Sequence, residues 1–353
     1  MNRADRIAAI NKEIAKRILV LDGSMGAFLQ GFELQAEDFH GERFAKHATP
    51  LKGNTDILSL TRPDIIAKVH EHYLDAGAEI ICTNTFTSTA LSQAEYGLEN
   101  IARELSVEGA RLAREACDAY EVKDGAPRLV AGAIGPTTKL LSMSPDVGDP
   151  GRRDVDFETM AQGYKEQILG LIEGGADLLL IETITDTLNA KAALWAAWEA
   201  FDETGDELPL WISGTITDKS GRTLSGQTVE AFYNSVRHAK PWAVGLNCAL
   251  GPQEMRGFLA DLARVAECPV SSHPNAGLPN AMGGYDETAH SMEVHYAEWA
   301  RAGLVNIVGG CCGTTPEHIA HMKRAIDGVA PRTFTENDAR LRLAGLEPFT
   351  AAA

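Results

Sequence analysis

The chain has 353 residues, 44% of them hydrophobic, with six cysteines and a formal charge of -17 at pH 7. An acidic chain without a basic cluster excludes nucleic acid and anionic membrane as partners, because phosphate binding needs a positive patch. Nothing approaches the roughly 18 consecutive apolar residues of a membrane span. The N-terminus also lacks a signal-peptide core and the cysteines lack a disulfide-framework spacing, so a reducing, cytoplasmic setting is expected.

The length fits either two ordinary domains or one α/β barrel with insertions. Residues 1–17 are predicted as an amphipathic helical extension, with Ile7, Ile10 and Ile14 on one face. Short apolar runs then follow at Ile18 to Leu21, Glu79 to Thr83, Leu129 to Ala133, Leu178 to Ile181, Leu210 to Ser213, Ala243 to Leu246, Val270 to Ser272 and Val305 to Val308. Helices are expected near Pro63 to Asp75, Ile101 to Tyr120, Phe157 to Ile172, Leu188 to Asp202, Val229 to His238, Pro252 to Val265, Met292 to Arg301 and Pro316 to Ile326. The third of these shows the pattern well: Phe157, Met160, Tyr164, Ile168 and Leu171 recur at steps of three and four.

Strand followed by helix, eight times over residues 18–330, predicts a (β/α)8 TIM barrel. Three helices run through a small residue and glycine straight into the next strand, at Ala76-Gly77, Gly174-Gly175 and Ala302-Gly303. Such connections are short and tight and belong at the bottom of the barrel. The opposite connections, including residues 135–154, 215–228 and 273–288, are longer and polar, as an active-site face requires.

Cys248 follows the sixth strand, and the vicinal pair Cys311 and Cys312 follows the eighth. Buried cysteine often serves only as a small hydrophobe, and neighbours in an extended strand point to opposite faces. Gly309, Gly310 and Gly313 allow the backbone around the pair to leave β geometry. Three soft thiolates at one barrel mouth then suit a Zn²⁺ ion with one position open to substrate. A vicinal disulfide is the other reading, disfavoured by ring strain and a reducing setting.

Further polar groups fall at strand ends: Asp22 and Ser24, Thr83-Asn84-Thr85, Glu182-Thr183, Asn247, and the run from His273 to Gly277. Each carboxylate could simply cap a helix. Together with Asn amides they could instead hold the ammonium and carboxylate of an amino acid. His273 is either a fourth ligand or a support for its own loop.

The segments Leu21 to Gly26, Thr83 to Phe86, Gly214 to Gln227, Gly245 to Pro252, His273 to Asn280 and Gly309 to Pro316 resemble the homocysteine-binding domain of cobalamin-dependent methionine synthase. The likeness runs from about residue 17 to 349. It implies Zn²⁺ on Cys248, Cys311 and Cys312, with Asn275 as an oxygen ligand displaced by substrate. It also implies homocysteine contacts from Asp22 and Glu182, to which the rim positions Asn247, Thr85 and Ser24 are added. Cys82, Cys117 and Cys268 match no ligand position and are expected to be structural.

The same resemblance implies methylcobalamin as methyl donor. No Asp-x-His-x-x-Gly signature for holding cobalamin is present, since Asp38-Phe39-His40 is followed by Arg43 where glycine is needed. A cobalamin- and methyltetrahydrofolate-binding partner is therefore expected, the chain being an excised module or one subunit of a split enzyme. Residues 331–353 resemble the linker towards the folate module. The alternative is a self-contained zinc homocysteine S-methyltransferase using S-methylmethionine or betaine. A non-catalytic barrel stapled by zinc fits less well, because structural zinc takes four protein ligands.

Overall fold

The eight apolar runs form a single ring of parallel strands: β1 (Leu19–Val20), β2 (Ile80–Cys82), β3 (Leu129–Ile134), β4 (Leu178–Ile184), β5 (Leu210–Gly214), β6 (Ala243–Asn247), β7 (Val270–His273) and β8 (Ile307–Val308). This is a computed structural model that describes residues 1–280, 284–333 and 339–352. Hydrogen-bonded order follows chain order from β2 to β8, and β8 pairs in parallel with β1. Between β1 and β2, Leu21 bridges Ile80, and the Glu79 amide donates to the Val20 carbonyl at 2.8 Å. The predicted (β/α)8 TIM barrel is thus closed, with helices between successive strands.

All eight predicted barrel helices are present, the longest spanning Ala102–Asp124. Gly77, Gly175 and Gly303 each adopt positive φ, the left-handed conformation that stops a helix and turns the chain into the next strand. Several short helices were not predicted, among them Met25–Gln30, Ala36–His40, Leu58–Thr61 and Ala90–Gln93. They fill the connections after β1 and β2 and are too short to show a helical period.

The N-terminal helix, Arg3–Ile14, does more than precede the barrel. Ile10 and Ile14 are buried and pack with Leu19, Leu129, Leu178, Leu180, Trp211 and Ile307, which fill the barrel interior. The Arg6 guanidinium reaches Asp177 at 2.8 and 2.9 Å, and Asp177 also accepts from Arg114 at 2.9 Å and the Val130 amide at 2.8 Å. Asp177 stands immediately before β4, at its N-terminal end, so this helix seals the end of the barrel away from the strand C-termini.

The predicted linker folds back as a hairpin of β9 (Arg342–Ala344) and β10 (Pro348–Thr350). It leans on the helix Val229–Val236 and the loop before it, where the Thr228 amide donates to the Leu346 carbonyl at 3.1 Å and Arg222 pairs with Glu347. Arg332, also past the predicted barrel boundary, is buried and donates to the carbonyls of Ala263 and Cys268. No described helix is long and apolar enough to cross a membrane.

Because Ile10 is fully buried among the barrel-filling side chains, Ile10→Ala leaves a cavity and is expected to cost about 2–4 kcal/mol. Urea unfolding checks this. Metal content should be unchanged, since the thiols lie at the other end of the barrel.

Candidate active site

Each cysteine of the predicted ligand set reaches the barrel mouth through a distinct backbone device. After β6 the chain turns through two successive left-handed residues, Cys248 (φ 61°) and Ala249 (φ 55°). With Thr183, they are three of the five non-glycine residues with positive φ among those described. Strain of this kind survives only where surroundings enforce it. Here the Cys248 amide donates to the His273 carbonyl at 3.2 Å, tying the turn to β7.

After β8, glycine is required chiefly for space. A Cβ on Gly310 would lie 2.3 Å from Thr314 Oγ1, and one on Gly309 would lie 2.7 Å from Leu21 Cβ. Only Gly313 of the three takes positive φ, at 81°. The Cys311 amide donates to the Pro274 carbonyl at 2.9 Å, and the Ala276 amide donates to the Cys312 carbonyl at 2.9 Å. The vicinal pair is thereby laced to the loop after β7.

Cys312 Sγ lies 3.8 Å from Cys248 Sγ and 3.9 Å from Cys311 Sγ, and all three sulfurs lie within 4.8 Å of one another. A tetrahedral zinc with Zn–S near 2.3 Å separates its sulfurs by about 3.8 Å, so the donor set fits that ion. The vicinal disulfide is not formed. Hydrogen bonds from Cys248 and Cys311 pull the Cys312 thiol down to about 3. The trio therefore gathers negative charge at one sulfur even before a cation is considered.

Two orphaned buried acceptors or donors border this trio. Asn275 is 3% exposed and its Oδ1 has no hydrogen-bond partner, while its amide donates to the Leu250 carbonyl at 3.1 Å, just beyond the Cys248 turn. An unsatisfied buried oxygen is costly, and at this position a cation would satisfy it. His273 is likewise buried with Nδ1 unpartnered, while its Nε2 lies 3.4 Å from Glu182 Oε2.

Asp22 and Glu182 stand at the ends of β1 and β4, both buried. Asp22 accepts from the Cys82 amide at 2.8 Å. Burial, with the Glu182 charge adding to it, pushes the Asp22 carboxyl up to about 8. Burial thus keeps Asp22 protonated at neutral pH, and an ammonium bound beside it would favour its ionised form.

The other predicted contacts have their polar groups engaged within the protein. The Asn247 carboxamide accepts from the Thr183 amide at 3.0 Å and from Ser213 Oγ at 2.7 Å, and donates to Thr183 Oγ1 at 2.8 Å. It holds the positive-φ residue beside Glu182, where the β4–β5 register shifts. Thr85 Oγ1 bonds Thr83 Oγ1 at 2.6 Å and donates to the Ala133 carbonyl at 2.8 Å. Ser24 Oγ caps the helix Met25–Gln30 by accepting from the Ala27 amide.

Tyr285 was not predicted from the sequence. Its ring lies against Gly313, where an added Cβ would come within 2.5 Å of it, and it is among the groups that hold the Cys312 thiol down. A lone tyrosine in a glycine-punctuated loop carries no signal of that role. Of the cysteines expected to be structural, Cys117 is fully buried and its thiol is pushed up to about 12 by burial. Cys268 is likewise pushed up to about 12. Cys82 is half-buried against the barrel-filling residues beside Asp22.

A family model described as homocysteine S-methyltransferase matches residues 19–326. Three solved structures of the Escherichia coli homocysteine methyltransferase MmuM are similar to the chain. The oxidised form superposes with a TM-score of 0.70 at 23% identity, covering 90% of this chain and 99% of that one. The metallated form gives 0.68 at 23% identity over 90% and 99%, and the apo form 0.64 at 21% over 91% and 99%. At such identities these likenesses bear on the fold alone.

The raised Asp22 carboxyl gives a pH dependence of known sign. Between its ordinary value of 3.8 and about 8 the folded chain keeps a proton that the unfolded chain has lost, so this group's contribution to stability falls as pH rises through that window. Asp22→Asn should remove that slope and be relatively more stable than the parent at pH 8–9, as urea unfolding across pH will show.

Proposed function

Because the chain belongs to the homocysteine S-methyltransferase family, we propose that it presents homocysteine as a thiolate for methyl transfer, with methionine as product. The convergence of three thiols at tetrahedral spacing carries this reading. Zinc held by Cys248, Cys311 and Cys312 would supply a soft cation that keeps a fourth sulfur ionised at neutral pH. Three thiolates on Zn²⁺ leave a net charge of -1, which suits it to holding an electron-rich sulfur rather than to polarising a carbonyl.

Asp22 and Glu182 take the substrate ammonium, with His273 orienting Glu182 and Asn247 fixing the turn at Thr183. Asn275 Oδ1, buried without a hydrogen-bond partner, would be the residue to complete the zinc's ligand set when no substrate is bound. The homocysteine thiol releases its proton on binding. Its sulfur then attacks the donor methyl carbon in line, the new S–C bond forming as the methyl-to-donor bond breaks and the donor keeps that electron pair.

The donor we assign is methylcobalamin, carried by a partner that also binds methyltetrahydrofolate. In support, apolar side chains stand exposed on four of the strand-to-helix loops around the mouth: Phe86, Met143, Leu224 and Leu278. Such a rim suits a broad, partly apolar donor face. The second reading, a self-contained enzyme using S-methylmethionine or betaine, is favoured by the likeness to MmuM over 99% of that chain.

Zinc-loaded protein with homocysteine, offered methylcobalamin, S-methylmethionine and betaine separately, distinguishes these. Slow methionine formation with free methylcobalamin is expected, and turnover confined to a small donor would overturn the assignment. Cys311→Ala should lose the zinc of the thiol site together with turnover; near-normal activity in a Cys311→Ala sample whose thiol site is empty would refute the zinc reading.

A further inference from the structure

Away from the thiols, a second set of metal-type donors converges between two neighbouring helices. Helix Ala289–Arg301 contributes His290 and, one turn later, Glu293. Helix Pro316–Ile326 contributes His321. His321 Nδ1 is 2.7 Å and His290 Nδ1 3.7 Å from Glu293 Oε2, and the three donor atoms lie within 4.8 Å of one another.

We propose that His290, Glu293 and His321 form a second cation site, for an imidazole-preferring divalent transition ion such as Zn²⁺. Two imidazoles and a carboxylate are borderline donors that suit zinc, nickel or copper and leave a position for water. His290 has a side chain that is 82% exposed, yet its Nδ1 turns toward the same carboxylate oxygen that His321 contacts. His290 is the second residue of its helix, after the Thr288 cap, one turn before Glu293. The protein's charge of -17 draws cations generally.

One group opposes the site. Arg324 lies 3.3 Å from the same Glu293 oxygen and competes for it as a built-in cation. The site is therefore weaker than the thiol trio and tunable at a single residue. Both helices leave the mouth of the barrel, one after the loop carrying Asn275 and Tyr285 and the other after Cys311 and Cys312. An ion here would clamp those two segments together from outside. The inference does not depend on the methyl donor or on turnover.

The test is a zinc count on the full chain after equilibration with a chelator of micromolar affinity, paired with cobalt substitution, in which thiolate charge-transfer absorption reports the three-cysteine site alone. The parent should hold two ions. His290→Ala/His321→Ala should hold one and keep the thiolate–cobalt band, which also shows that the variant is folded. Cys311→Ala should hold one ion and lose that band. Arg324→Gln should bind the second ion more tightly than the parent by about two- to fivefold, since the competing cation is gone. A parent holding one ion, a second ion that persists in the double histidine variant, or an affinity unmoved by Arg324→Gln would each overturn the proposal.

Discussion

Leu19 and Val20 pair with Ile307 and Val308, and Leu21 bridges Ile80, so the first strand is stitched between the last strand and the second. Everything at the mouth depends on this closure. Cys248 and Cys312 are 64 residues apart in the chain, yet their sulfurs are 3.8 Å apart because β6, β7 and β8 are consecutive staves of one ring. The same closure places Asp22, at the end of β1, near Glu182, at the end of β4. Burial of Ile10 and Ile14 from the N-terminal helix fills the lower interior and keeps the ring's registers in place.

On this rigid ring the reactive groups sit in strained or desolvated positions. Cys248 and Thr183 hold left-handed backbone conformations, Asp22 is buried beside another carboxylate, and polar atoms of Asn275 and His273 lack partners. Each of these is unfavourable in the protein alone. A cation at the thiols would partner the Asn275 oxygen, and an ammonium near Asp22 would favour its ionised form, while the left-handed backbones are held by their surroundings. The unsatisfied groups thus mark the rim as a place built to receive cationic partners.

How far the sequence conveyed this depended on whether a feature was periodic. The strands and long helices have clear periods, and three cysteines following strands six and eight were enough to place three thiols together at the rim. The short helices after β1 were not legible because each is a turn or so long and depends on a local cap such as Ser24. The hairpin at 342–350 was not legible because it is held by tertiary partners, Arg222 and Thr228, far away in the chain. Asn247 was placed correctly at the rim, but its engagement with Thr183 depends on a register shift between β4 and β5 that no spacing announces. Tyr285 is a similar case, visible only once Gly313 is seen beneath its ring.

The lacing of Cys311 to Pro274 and of Cys312 to Ala276 has a consequence in time. The donors come from the sixth and eighth strands, so a chain emerging from the ribosome can collect most of its helices and strands before it has a metal site. The vicinal pair arrives with the strand that closes the ring, and contacts of such long sequence separation form late. Assembly of the thiol trio is thereby coupled to completion of the fold. A chain still short of Cys311 has the single thiol of Cys248 from this set, a misclosed barrel holds it apart from the vicinal pair, and the finished ring brings all three together.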